Sequence, residues 1–340
     1  MRCCEATRSS VEDGWSSPSG GGSGRTSRGK YGALIDAETW AFIDRTNDWY
    51  PLETTSFPIE RQRAIYDAMC RAFRGNRPPS VHTADSLIEL SGRALPVRHY
   101  RLRGGTPEAM TIYYHGGGYI LGGLDSHDDI CAELCAATGH NVLSVHYRLS
   151  PEHLHPAAFE DACATFEWAA AANDLPILLC GESAGGNLAA AVAHAKRGHC
   201  RAAIGQLLIY PELGGDMMAR SYVEHANAPM LTVRDVRFYR AVRTATHHAV
   251  DDPTIAPLCD ADFSGLPPTI IVTAQCDPLS SDGEAYRDRI IAAGGRAWWH
   301  EESGLVHSFL RARHSARRAR ESFARIAAAA TALGKGEWPY

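Results

Sequence analysis

A mainly parallel sheet of about eight strands, covered by helices on both faces and carrying a helical cap, is the α/β architecture this sequence predicts. Three observations predict it. Beyond residue 80, apolar strand-like runs alternate with helical runs, the pattern of βαβ crossovers. The chain has 340 residues, 45% of them hydrophobic and 21% charged, enough to bury one large core. Helical patterns also precede the first strand and fill the stretch between Pro211 and Pro268, where strand signals stop.

Taken in order, residues 1–30 include Ser16-Ser17-Pro18-Ser19-Gly20-Gly21-Gly22-Ser23-Gly24 and hold too little apolar surface to offset the entropy of ordering them; they read as a disordered leader. Residues 31–80 form N-terminal cap helices. Asp36 is the N-cap of a helix through Trp40 and Ile43 that ends before Pro51, and Ile65, Met69 and Phe73 recur at helical spacing.

Residues 81–211 make the first part of the α/β domain. Leu87 to Leu90 and Val97 to Leu102 flank the turn Ser91-Gly92-Arg93 and predict an antiparallel hairpin. Strands follow near 110–114, 142–146, 177–180 and 204–210, separated by helices near 127–138, 156–173 and 184–198. Residues 212–250 are a cap insertion, where Thr232 and Asp235 give a capping-box start to a helix through Val236, Tyr239 and Val242. Residues 251–340 complete the domain with strands near 269–275 and 296–301 and helices near 282–293 and 310–332.

A formal net charge of -5, with no dense Lys/Arg block, argues against a nucleic-acid partner. The ten cysteines are scattered without zinc or disulfide-scaffold spacing and are expected to be free thiols. No apolar run of the roughly 18 residues needed to span a bilayer occurs, so stable membrane insertion is not expected. The N-terminus also lacks the apolar region of a secretory signal, which makes a cytoplasmic location the default expectation.

Gly181-Glu182-Ser183-Ala184-Gly185 matches G-x-S-x-G between the strand Ile177 to Cys180 and a helix-forming run, the context in which a serine is exposed on a sharp strand-to-helix turn. His115-Gly116-Gly117-Gly118 follows the strand Met110 to Tyr114 and offers backbone N–H groups that an oxyanion can approach closely. A serine hydroxyl needs an imidazole to take its proton, and the imidazole needs a carboxylate to fix its tautomer. Asp277, just past the strand from Thr269 to Ala274, supplies the carboxylate; Asp282 and Glu284 compete for the role but fall at a helix start, where acids favour the helix dipole. His307, on the loop after the last strand, supplies the base, while His300 and His314 sit within a strand and a helix pattern, and His247-His248 lack the position. No cofactor-binding or metal-site pattern accompanies these residues. His115 itself is read as fixing its loop by hydrogen bonding.

With Tyr147-Arg148-Leu149-Ser150-Pro151-Glu152, Pro156, Asp161, Asp277-Pro278-Leu279 and His307-Ser308-Phe309, these motifs resemble the hormone-sensitive-lipase-like family of α/β-hydrolase carboxylesterases over roughly residues 31–335. The resemblance implies the α/β-hydrolase fold, an oxyanion hole from the N–H groups of Gly116, Gly117 and Ala184, and a cap over the site. Two positions depart from the family pattern: Glu182, where Asp is more common, and Ser308, where Gly is common. The Tyr147 to Glu152 segment has no chemical role and reads as a structural Arg-Glu network.

The expected reaction is hydrolysis of a small-molecule ester with a short to medium acyl chain, through an acyl-enzyme on Ser183. Tyr119, Leu279, Val306 and Phe309 are the expected substrate-binding side chains. A non-catalytic ligand receptor on the same scaffold, as in the resembling plant gibberellin receptors, is the reading from another class; the triad histidine replaced there is present here as His307. Amide, thioester or lactone hydrolysis would use the same groups. The resemblance also allows a homodimer through an exposed edge strand.

Overall fold

The computed structural model describes residues 28–246 and 251–340. Most of the expected leader, and the pair His247-His248, lie outside the described residues. Two helices come first, α1 (Ala37–Trp49) and α2 (Ile59–Phe73). Then follow β1 (Val81–Leu90), β2 (Arg93–Leu102), β3 (Met110–Tyr114), α3 (Asp128–Thr138), β4 (Asn141–Val145), α4 (Ala157–Ala172), β5 (Ile177–Glu182), α5 (Ala184–Lys196) and β6 (Gly205–Ile209). The insertion holds α6 (Arg220–Glu224) and α7 (Val233–Thr244), and β7 (Thr269–Cys276), α8 (Ser280–Ala292), β8 (Ala297–Val306) and α9 (Arg317–Gly334) close the chain.

The strands form one eight-stranded sheet in the order β1-β2-β4-β3-β5-β6-β7-β8. β1 and β2 pair antiparallel through the tight turn at Ser91-Gly92, where Gly92 has a φ of 78° that few side-chain-bearing residues adopt. β2 also runs antiparallel to β4, and every pairing from β4 to β8 is parallel. All residues of β3, β5 and β6 are buried, as parallel strands covered on both faces must be. Alternation along β5 divides the core: Leu178 and Cys180 pack with apolar residues of α3 and α9, Ile177 and Leu179 with those of α4, α5 and α8. Cys70, Cys131, Cys135, Cys180 and Cys276 are buried free thiols, whereas Cys200 and Cys259 are exposed.

Asp36 caps α1 by accepting the Thr39 N–H, and Thr232 with Asp235 forms the capping box that starts α7. The first two strands start earlier than expected, β1 at Val81 and β2 at Arg93, because they pair over their whole length, and two later elements also differ from the sequence expectation. The stretch expected as one helix over 310–332 is a short turn at Phe309–Ala312 followed by α9. Arg311 and Arg313 are both buried; the first bonds Ser126 and His127 just before α3, the second Asp129 and Glu133 within α3. Residues two apart on a helix point to opposite sides, so a continuous helix would not bring both arginines to this one segment. The last strand also runs further than expected, to Val306, because its pairing with β7 resumes after an irregularity at Ala274/Cys276 and ends on the pair Cys276↔Val306. Among the described residues, no helix is long and apolar enough to cross a membrane.

Candidate active site

Ser183 lies between β5 and α5 with φ 55° and ψ -119°, a strained conformation typical of a nucleophile turn. The flanking glycines are sterically required: a Cβ on Gly181 would come 2.2 Å from the Gly185 carbonyl oxygen, and one on Gly185 would come 1.9 Å from that of Tyr114. The Ser183 N–H donates to the Ile209 carbonyl at 2.9 Å, tying the turn to the next strand.

The β7–β8 register brings the other two groups together. Asp277 and His307 each follow directly on the paired residues Cys276 and Val306, so two side chains 30 residues apart leave the sheet side by side. His307 Nδ1 lies 2.7 Å from Asp277 Oδ2, and His307 Nε2 lies 2.9 Å from Ser183 Oγ. Asp277 is fully buried and its second oxygen accepts the Leu279 N–H at 2.9 Å, which fixes the carboxylate. With a carboxylate on Nδ1, the imidazole proton belongs there and Nε2 is the basic nitrogen facing the serine.

The glycine loop carries a correction. The Gly116 N–H donates to Glu182 Oε1, so it is engaged in the wall of the site and is not a free oxyanion donor. Gly117, Gly118 and Ala184 line the cavity together with Ser183. Glu182 is also 2.8 Å from His127 Nε2, and Arg311 bonds His127 and the Tyr66 hydroxyl. Burial on its own would raise the Glu182 carboxyl, but the bond from His127, the Arg311 charge and the Gly116 N–H together draw it down to about 2. Sequence reasoning marked Glu182 only as a departure and missed His127 and Arg311; no spacing rule ties three residues so far apart.

His115 keeps its loop in place. Its Nδ1 contacts the Gly116 carbonyl at 2.8 Å, and the Tyr147 hydroxyl donates to its backbone carbonyl at 2.6 Å. Burial, reinforced by the neighbouring His127, pushes its pKa down to about 3, so the ring is neutral and no proton shuttle. The Tyr147 to Glu152 segment is structural, although Arg148 and Glu152 do not pair with each other. Arg148 joins Arg93 on the fully buried Asp161, and Glu152 pairs with Arg63 of α2 at 2.6 Å.

A cavity of about 320 Å³ opens above Ser183 and His307. Tyr119 and Leu279 line it as expected, and so does Ser308. Val306 and Phe309 do not: both are fully buried in the core, Val306 at the last pair of the sheet and Phe309 edge-on to Tyr210 with 5.0 Å between ring centres. Proximity to His307 along the chain suggested them, but the end of β8 turns both inward. The cap supplies the opposite walls through Tyr50 and Tyr66 from the N-terminal helices and Met230, Leu231, Val236 and Tyr239 from the insertion. An ion pair, Arg240 to Glu212 at 2.6 Å, also borders the cavity.

Residues 111–311 match the family model described as alpha/beta hydrolase fold. The chain belongs to that family. Within it the motifs fit the hormone-sensitive-lipase-like carboxylesterases, and the relatives agree. The chain is 38% identical over 268 residues to the carboxylic ester hydrolase LipN of Mycobacterium tuberculosis, covering 74% of this chain and 70% of the relative. It is 32% identical over 238 residues to an ethyl acetate hydrolase of Pseudomonas putida, covering 66% and 74% respectively. Among solved structures, a hyperthermophilic esterase from the archaeon Pyrobaculum calidifontis superposes with a TM-score of 0.81 at 29% identity, covering 89% of this chain and 99% of the other.

Proposed function

We propose that this carboxylic ester hydrolase cleaves short- to medium-chain acyl esters through a Ser183–His307–Asp277 triad and an acyl-enzyme. The observation that carries the reading is the unbroken hydrogen-bonded line from Asp277 to His307 to Ser183, at 2.7 and 2.9 Å. As Ser183 Oγ attacks the ester carbonyl, its proton passes to His307 Nε2, and Asp277 stabilises the imidazolium that forms. The oxyanion is received by the N–H groups of Gly117, Gly118 and Ala184, the two glycines leaving no side chain in its way. His307 then protonates the departing alcohol, and water repeats the sequence on the acyl-enzyme.

Cavity size supports the acyl preference: about 320 Å³ is at the small end of the range for ligand sites, roughly 300 to 1,000 Å³. The test is hydrolysis of p-nitrophenyl esters of increasing acyl length by the wild type, Ser183→Ala and His307→Ala. Turnover should peak at short or medium chains and fall by at least about 10⁴-fold in either variant. Turnover confined to long-chain triglyceride emulsions would refute the chain-length assignment, and a folded wild type inert towards every ester would favour a ligand receptor.

A further inference from the structure

Tyr239 of α7 stands where the cap meets the glycine loop. A Cβ built on Gly118 would lie 2.3, 2.5 and 2.7 Å from Cδ1, Cγ and Cε1 of Tyr239, its three nearest atoms, so the phenol ring rests directly on the Gly118 backbone. The Tyr239 hydroxyl reaches that of Tyr50, just past the end of α1, at 3.4 Å. Tyr50 in turn meets Tyr66 of α2 edge-on, with 6.3 Å between ring centres, and Tyr66 accepts from Arg311. The ring that touches Gly118 is therefore held by both pieces of the cap.

Gly117 and Gly118 have φ values of 118° and 60°, conformations that glycine reaches freely and leaves as freely. Oxyanion donors stabilise a transition state only when they are already in place as the charge develops. The three glycines have no side chains of their own, so their neighbours hold them: His115 Nδ1 contacts the Gly116 carbonyl, and the N–H groups of Ile120 and Leu121 donate to the Gly117 carbonyl. At one end Glu182 takes the Gly116 N–H; at the other the Tyr239 ring covers Gly118.

We propose that Tyr239 is a positioning residue that clamps Gly118 from the cap side, so that the oxyanion hole is complete only with the cap seated. The inference rests on the ester-hydrolase reading given above. Its test compares Tyr239→Ala, Tyr239→Leu and Tyr239→Phe in kcat and KM for p-nitrophenyl butyrate and in Ki for a trifluoromethyl ketone of matched chain length. That ketone adds to the serine and places an oxyanion in the hole.

Tyr239→Ala should lower kcat and weaken Ki by a common factor of about 10 or more, within the effect of losing one oxyanion donor, and leave KM within about threefold. Tyr239→Phe should keep both within about threefold, because the ring and not the hydroxyl meets Gly118. Tyr239→Leu keeps apolar bulk without the ring and should resemble the alanine variant, which covers the case that Tyr239→Ala does not fold. A rise in KM or a shifted chain-length preference with kcat and Ki unchanged would make Tyr239 a lining residue only and overturn the proposal, as would equal losses in the alanine and phenylalanine variants. A wild type inert towards all esters would instead overturn the hydrolase reading, and this inference with it.

Discussion

The carboxylate of Glu182 accepts the backbone N–H of Gly116, so the residue before the nucleophile holds the first glycine of the facing loop. The same carboxylate is the buried partner of His127, with Arg311 close behind. Glu182→Gln keeps an oxygen for Gly116 but puts a neutral acceptor in place of the carboxylate that faces His127 near the buried Arg311, a loss that typically costs about 1.5 to 3 kcal/mol. Urea unfolding at pH 7 should show a loss of that order. The pH dependence has a definite sign: the folded carboxyl titrates at about 2 against 4.5 for the free group, so its stabilisation is complete above about pH 4.5 and is lost as pH falls towards 2. Between pH 4.5 and 3 the wild type should lose stability faster than Glu182→Gln. Parallel slopes would mean that the Glu182 carboxyl titrates alike in the folded and unfolded protein.

Asp282 has the opposite sign. It lies in the first turn of α8, but it is no simple helix-dipole acid: it is buried, accepts the N–H groups of Leu213 and Gly215 and the Tyr222 hydroxyl on Oδ2, and leaves Oδ1 without a partner. Burial, and then the nearby Glu212, push its pKa up to about 7. In the unfolded chain it ionises near 3.8, so between those values the native state holds the extra proton and stability falls as pH rises, with the full cost present above about pH 7. Asp282→Asn retains an acceptor for the three donors and removes the charge. The variant should be more stable than the wild type at pH 8, by on the order of 1 kcal/mol or more, and close to it at pH 4. Thermal melts across that range decide; a variant that is less stable at pH 8 would show that the carboxylate is held ionised by Arg240.

Most of the fold was legible because period and punctuation agree locally. The alternation of strands and helices, the Ser91-Gly92 turn, the Asp36 cap and the Thr232/Asp235 capping box all encode themselves within a few residues, and each appears in the structure where the sequence puts it. The grouping of Ser183, Asp277 and His307 was legible for a related reason: each directly follows a strand, and parallel register converts that position into proximity. What was hidden depends on contacts between distant segments. The Gly116 N–H is consumed by Glu182, 66 residues away, and no local pattern separates it from the free donors beside it. Val306 and Phe309 are apolar and adjacent to the histidine, yet the turn after β8 sends them into the core while Ser308 between them reaches the cavity. The break before α9 accompanies two buried arginines whose partners lie elsewhere, Arg311 on Ser126 and His127 just before α3 and Arg313 on Asp129 within it, information the segment itself does not carry.

The backbone at Ser308 favours the glycine from which this chain departs. Its φ of 62° lies in the left-handed region, where a glycine carries no Cβ penalty and other residues cost roughly 1 to 2 kcal/mol. Its carbonyl accepts the Arg311 N–H at 3.1 Å, so the conformation is fixed by the turn that follows His307. Ser308→Gly removes the penalty but adds chain entropy to the unfolded state, worth about 0.5 to 1 kcal/mol in the other direction. The melting temperature should therefore stay level or rise slightly, with the triad and turnover preserved. Ser308→Val keeps the penalty and adds a branched Cβ, which makes a left-handed residue a genuine outlier. It should melt several degrees lower and lose turnover, because the strained valine relaxes only by rotating the peptide that carries His307. Equal melting temperatures for the glycine and valine variants would show that the turn yields without strain.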